Sequence, residues 1–347
     1  MSAQHPTGPT SSVGPVDPTG PVGALGSPGA VRVDVPCRAC LSGEDLDWLG
    51  GRSVSVALDL PTRVEISALA APSDAPPEGW AAEVWGFLRQ RLPGLAEHPP
   101  AVTSHSEAPS ASGLSSSTAL IVGLFRVFTD AGHPPGRLPD RVLAQWAYEF
   151  EFAVFNGGGM DHLAVVEGGA LLLEGREVGL PEVKERAEFP ADWSVVVVDS
   201  GTRKHTGGHI RTVRAQLAGG DADLAAYMRI ADEASGAVWE GMRAHDHQAV
   251  GAAMSRAHEA MRDHQRMSTP LLEELRTTAA RAVGLPLKVS GAGGGGSLVG
   301  VCPQVDAPDM ARALRMALRS DHPQARVLVT SAAPGRSAAP VRAVNTV

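Results

Sequence analysis

Apolar positions alternate with polar ones in some stretches of the chain and recur every three to four residues in others. Val31, Val33 and Val35, separated by Arg32 and Asp34, predict a strand over 31–36. Alternating or continuous apolar runs predict further strands over 53–58, 63–66, 101–107, 169–174, 193–201, 298–301 and 327–329. Helical spacing predicts helices over 80–91, from Ala119 onward, and then over 210–217, 224–245 and 248–261. Another starts at Pro139-Asp140 and places Val142, Leu143, Trp146, Ala147, Phe150 and Val154 on one face, ending at Asn156 before three glycines. Residues 1–30 carry no periodicity and are about half Gly, Pro and Ser, too little apolar surface to offset the entropy of ordering. They read as a disordered leader, and 332–347 as a shorter flexible tail. A new unit begins near Trp193, which divides the folded part into 31–190 and 191–331.

Composition narrows the function classes. A chain of 347 residues can bury the cores of two domains. Lys+Arg number 30 against 38 Asp+Glu, a formal charge of -8, and no basic run interleaves with aromatics, which argues against nucleic acid. No apolar stretch reaches the length of a membrane span, and the N-terminus lacks the basic and apolar regions of a signal peptide. Cys37, Cys40 and Cys302 suggest no disulfide framework. Cys37 and Cys40 form C-x-x-C, but no second pair completes a zinc site, so they read as small residues on a buried strand. A cytoplasmic protein fits these features.

The stretch 109–118, Pro-Ser-Ala-Ser-Gly-Leu-Ser-Ser-Ser-Thr, runs straight into a dense apolar helix. Small residues let the backbone wrap a ligand closely, and the following helix aims free N–H groups and its positive end at that loop. Such a loop is an anion site, phosphate above all, or else a serine-rich helix cap. It is not the common phosphate loop, because no lysine lies between Pro109 and Asp130. A second glycine stretch, 291–296, contains G-x-G-x-x-G, but a strand follows it where the dinucleotide fingerprint requires a helix. Asp161, after glycines, has the position of a turn residue. His245 and His247 read as solvated helix surface, and Trp80, Trp85 and Phe87 as core or as the border of an adenine pocket.

Three motifs in order carry a resemblance. Pro36, Arg38, Leu41, Gly43, Glu44, Asp47, Gly50 and Gly51 match the first motif of galactokinases, with Asp45 in place of His, Trp48 in place of Tyr and Cys37 in place of Gly. The stretch 109–118 resembles the second motif of the GHMP small-molecule kinases, with Thr118 for the final Ala. The glycine loop 291–296 resembles the third, and Glu149-Phe150-Glu151 with Gly159-Met160-Asp161 resembles the galactokinase segment around the catalytic Asp. Thr202 to Thr206 is similar to a further galactokinase segment. The chain resembles the GHMP kinases, in particular their galactokinase-like sugar kinases.

That resemblance implies a two-domain α+β fold: an N-terminal domain of the ribosomal S5 type and a ferredoxin-like C-terminal domain. It implies Asp161 and Arg38 as the catalytic pair, with Arg38 keeping Asp161 ionised. ATP is expected on Pro109, Ser110, Ser112, Gly113, Leu114, Ser115, Ser116, Ser117 and Thr118. Mg²⁺ is expected on Ser117 and Glu151, with Ser116 and Glu149 as alternates. Glu44, Asp45, Asp47, Gly159, Gly293 and Gly294 are the implied acceptor contacts. The expected acceptor is a small sugar or polyol, phosphorylated on its anomeric hydroxyl. The alternatives are a kinase of a non-sugar alcohol and a catalytically inactive sugar- and ATP-binding relative. A monomer or homodimer is expected.

Overall fold

The computed structural model describes residues 31–66, 79–92, 94–132, 137–203 and 206–335. In chain order its elements are β1 (Val31–Ser42), α1 (Leu46–Leu49), β2 (Arg52–Ile66), α2 (Trp80–Arg91), β3 (Val102–Ser106), α3 (Ser116–Gly132), α4 (Asp140–Phe155), α5 (Met160–Glu167), β4 (Ala170–Glu174) and β5 (Glu182–Ala187). There follow β6 (Trp193–Asp199), α6 (Thr206–Gly219), α7 (Ala222–Arg243), α8 (His247–Gln265), α9 (Pro270–Val283), β7 (Lys288–Val289), β8 (Ser297–Pro303), α10 (Ala307–Leu318) and β9 (Arg326–Thr330). The first five strands form one antiparallel sheet in the order β1-β2-β4-β5, with β3 on the far half of β2. The last four form a second, in the order β7-β8-β6-β9. Mixed helices and strands around two antiparallel sheets make this an α+β fold, as the motifs implied.

Two cores are present: the first covers the first sheet and one face of β6 and β8 (Val195, Val197, Val299, Val301), the second the opposite face of the second sheet (Val196, Val198, Leu298). Helix α3 is the central element of the first: Ala119, Ile121, Val122, Leu124, Phe125, Val127 and Phe128 are all buried, covering most of its circumference. Trp80, Trp85 and Phe87 pack edge-to-face on Phe150, Phe128 and Phe125 at 5.8, 5.0 and 5.5 Å, so these aromatics are core. Helix α7 sends Val238 and Trp239 into that first core and Tyr227 and Ala231 into the second, so one helix serves both. The second core also takes Leu46, Trp48 and Leu49 from α1, although α1 lies between β1 and β2 in the chain.

Several elements differ from the periodicity reading. Strand β1 continues through Cys37 and Cys40 to Ser42, and β2 is one strand of 15 residues rather than two. Asp161 sits in the first turn of a helix, not in a turn. Strand β5 was not anticipated, since it is a polar edge strand whose Glu182, Glu185 and Arg186 face solvent. Helix α9 was also missed, despite a Thr269 cap, Pro270 in its first turn and a left-handed Gly284 at its end. Helix α10 was missed as well. Residues 332–335, assigned above to the flexible tail, pair with the first sheet: Ala333 N–H donates to Ala57 O at 2.9 Å and Gly169 N–H to Ala333 O at 3.0 Å. The expected leader at 1–30, the segment 204–205 and residues 336–347 lie outside the described residues.

A buried polar network fixes β7, the strand entering the second glycine loop. Val289 N–H donates to His258 Nδ1 at 3.2 Å, which leaves the ring proton on Nε2, 2.7 Å from Glu273 Oε1. Ser268 and Arg276 also donate to Glu273. Burial, aided by the Arg276 charge, pushes His258 down to about 4. Burial works against ionised Glu273, but hydrogen bonds from Ser268 and His258 prevail and hold it at about 2. The folded protein therefore binds fewer protons than the unfolded chain at both groups, and stability is lost as pH falls. The His258 contribution, read by urea unfolding followed by circular dichroism as the difference in stability between the parent and His258→Asn, should shift against the parent by up to roughly 3 kcal/mol as pH falls from 6.5 towards 4.

Candidate active site

A cavity of about 300 Å³ lies where the two sheets meet, walled by the loop before α3, the N-terminus of α5, the segment around α1 and the second glycine loop. The loop before α3 places Ala111, Gly113 and Ser115 at φ 54, 85 and 58°, and this left-handed backbone curls it around the cavity. Gly113 is required for a second reason. A Cβ there would lie 2.1 Å from Ser290 O, because the second glycine loop presses directly on the first. Ser297 N–H donates to Ser112 O at 2.7 Å across the same contact.

Of the expected phosphate-loop residues, Ser112, Gly113, Ser115, Ser116, Ser117 and Thr118 reach the cavity wall together with Ala111. Leu114 turns its side chain into the core and offers its carbonyl to Arg38 N–H at 3.0 Å. Pro109 and Ser110 precede the wall without forming part of it. The Ser112 hydroxyl is buried without a hydrogen-bond partner among the described residues. A polar group left so by the fold suits an incoming phosphate oxygen. Oxygen donors for a divalent cation are present as well. Glu151 and Ser117 both line the cavity, and Thr118 Oγ1 donates to Glu151 Oε2 at 2.9 Å. This hard, oxygen-only set fits Mg²⁺. Glu149, the alternate, is instead held by Arg91 and Gln145.

Asp161 is gripped from two sides. Arg38 Nε donates to Oδ1 at 2.8 Å, and Ser115 Oγ to Oδ2 at 2.6 Å. Arg38 is 2% exposed, and its remaining arm donates to Gly113 O at 2.6 Å. Burial works against its charge, but the Asp161 carboxylate outweighs that and raises its pKa above the ordinary arginine value. Asp161 itself keeps an open side towards the cavity.

The expected acceptor residues fall into two groups. Glu44, Asp45 and Asp47 all line the cavity. Glu44 is almost wholly buried. Its Oε1 pairs with the buried Lys288 ammonium and accepts Gly291 N–H at 3.2 Å, while Oε2 is buried without a partner among the described residues. Asp45 stands in the left-handed region at φ 64° and is held by Trp48 and His209. Asp47 accepts Met160 N–H at 2.9 Å, and burial followed by the Asp161 and Asp45 charges pushes it up to about 7. The glycines differ from the expectation. Gly157 and Gly158 reach the wall, where a Cβ on Gly158 would lie 1.9 Å from Asp47 Oδ2. Gly159 caps α5 and backs onto Leu180 and Tyr148 instead. In the second loop Gly291 and Ala292 face the cavity, while Gly293 backs onto Met267 and Gly294 N–H donates to Met267 O at 2.7 Å. The loop doubles back on Met267, which carries those two glycines away from the wall.

Sequence reasoning left out His162, Lys288 and His209. Buried His162 lines the cavity with Nε2 2.8 Å from Glu151 Oε2, and it occupies the position that is Gln in the galactokinase pattern. Lys288 is completely buried and donates to Cys40 O and Val289 O besides Glu44. A lone lysine in an apolar strand was its signal. Nothing in the local sequence marked His209, because its partner lies 164 residues away.

The GHMP kinases N terminal domain matches residues 81–169 and the GHMP kinases C terminal domain residues 239–319. The chain belongs to the GHMP kinase family. It is accordingly an ATP-dependent kinase. It is 29% identical over 359 aligned residues to galactokinases of Mycobacterium bovis and Mycobacterium tuberculosis, covering 88% of this chain and 98% of those. The fold of this GHMP kinase superposes on Lactococcus lactis galactokinase complexed with galactose with a TM-score of 0.71, at 17% identity over 88% of this chain and 94% of that one. For L. major mevalonate kinase in complex with R-mevalonate the TM-score is 0.70, at 19% identity over 89% and 97%. Among the described residues no helix is long and apolar enough to cross a membrane.

The raised Asp47 makes a testable statement about this cavity. Its folded pKa of about 7 lies above its unfolded value, so the folded kinase binds the extra proton and loses stability as pH rises from about 4 to 7. Asp47→Asn, which keeps an acceptor for Met160 N–H, should therefore be more stable than the parent at pH 8, by up to about 4 kcal/mol, and no more stable at pH 4. Urea unfolding of both at the two pH values measures it.

Proposed function

We propose that this GHMP kinase transfers the γ-phosphoryl group of ATP to the anomeric hydroxyl of a small sugar. The observation that carries this reading is the placing of Asp161, fixed by Arg38 and Ser115 with one side open to a cavity that also holds Asp45 and Asp47. Phosphoryl transfer needs positioned phosphates, neutralised charge and a receiver for the alcohol proton. The small-residue loop and the positive end of α3 supply the first, with the unpartnered Ser112 hydroxyl as an added donor. Glu151 and Ser117 would hold Mg²⁺, which when bound offsets charge on the nucleotide phosphates.

Asp161 then takes the acceptor's hydroxyl proton as the oxygen's electron pair attacks the γ-phosphorus and the bond to the ADP oxygen breaks. Arg38 holds the Asp161 carboxylate in place and lies beside the developing negative charge. Asp45 and Asp47 are hydrogen-bond acceptors suited to a polyhydroxylated molecule. Their presence, and the galactokinase relatives, support a sugar over an alcohol with one or two hydroxyls.

ADP release from ATP and Mg²⁺ across free hexoses, pentoses, uronic acids, amino sugars and non-sugar alcohols tests the proposal. One sugar should be turned over, with phosphate appearing on C1 by ³¹P NMR. Asp161→Asn should lose on the order of 10²–10⁴ in kcat while ATP binding persists. Turnover confined to a non-sugar alcohol would overturn the sugar assignment and leave the kinase.

A further inference from the structure

Three carboxylates crowd one end of the cavity, and each has a different partner. Arg38 serves Asp161, the Met160 N–H serves Asp47, and Asp45 is served from the other half of the molecule. His209, near the start of α6, brings Nε2 to 2.6 Å from Asp45 Oδ2, and the pair is only 13% and 10% exposed. Trp48 Nε1 donates to the other oxygen at 3.2 Å. A carboxylate has about four acceptor positions, so two remain for hydroxyls of a bound molecule.

The same helix makes two further contacts at this end. Ile210 lines the cavity and reaches Gly157, and Arg214 donates to Asn156 O at 3.1 and 2.6 Å while its guanidinium lies 4.9 Å from the Trp48 ring. Helix α6 thus holds both Asp45 and the ring that supports it. Without the imidazole, Asp45 would keep only the Trp48 N–H among its side-chain donors here while its charge opposes that of Asp47. Like charges at this range favour rotation of the side chain towards water.

We propose that His209 is the positioning residue for acceptor specificity: it holds Asp45 in the cavity so that this carboxylate accepts a hydroxyl of the sugar away from the reacting carbon. The inference rests on the sugar-kinase reading above. It assigns the effect to acceptor binding, whereas a mere tie between the two halves would disturb ATP and acceptor alike.

The test is a double-mutant cycle on the full chain, with ATP, Mg²⁺ and the hexose of the panel that the parent turns over. His209→Ala and Asp45→Asn should each raise the acceptor KM about tenfold, the cost of one hydrogen bond to a charged group, without raising the KM for ATP. The double variant should be no worse than about tenfold, because both substitutions remove one interaction. His209→Gln, which retains an N–H donor, should recover part of the loss. Unchanged acceptor KM in a parent that is active, equal rises in both KM values, or effects that multiply in the double variant overturn the inference alone. A parent silent on every sugar overturns the sugar-kinase reading and the inference with it. Should His209→Ala fail to fold, Asp45→Asn and His209→Gln still decide between these outcomes.

Discussion

Arg38 is the interaction on which the site depends. A guanidinium with almost no contact with water must have its charge and its donors satisfied inside the protein, or the fold pays several kcal/mol. Its partners come from separate elements: the Asp161 carboxylate from α5 and the Gly113 carbonyl from the loop before α3, while its own backbone N–H reaches Leu114 O. This residue of strand β1 thereby aims the loop and the carboxylate at the same space. Removing either partner leaves a buried charge uncompensated, so the arrangement tolerates little drift.

A second buried ion pair, Lys288 with Glu44, performs the same task between the halves. Lys288 belongs to the second sheet and Glu44 to the segment between β1 and α1, and the ammonium also takes the Cys40 carbonyl of β1. Tyr227 of α7 donates to Glu44 O at 2.6 Å, adding a third element. Around this tie the two glycine loops come into backbone contact, which only glycine at 113 permits. The cavity exists because these contacts hold the two glycine loops and the segment around α1 at a fixed separation.

The acidic character of the acceptor end follows from that geometry. Asp45 and Asp47 are two residues apart, at the N-cap and in the first turn of α1, a short helix that packs in the second core. Burial pushes Asp47 up to about 7, and each of the two is supported by a group from a distant segment. Such charge crowding is expensive for stability and useful for recognising hydroxyls, a trade that binding sites commonly make.

The elements with strong periodicity, α3, α4, α7 and β6, were legible in the chain because their burial is large and regular. The loop at 109–118 was legible because small residues running straight into an apolar helix are a local pattern, and Arg38 and Asp161 because each lies in a motif of neighbouring residues. Strand β5 and the pairing of 332–335 were not, since an exposed edge strand and a returning terminus carry no apolar repeat. Nor could spacing show which glycines face the cavity: Gly157 and Gly158 do and Gly159 does not, a matter of how α5 is capped and what it packs on. Local chemistry is written in neighbouring residues. The Arg38–Asp161, Glu44–Lys288 and Asp45–His209 pairs span 123, 244 and 164 residues, and only the packing of both cores brings them together.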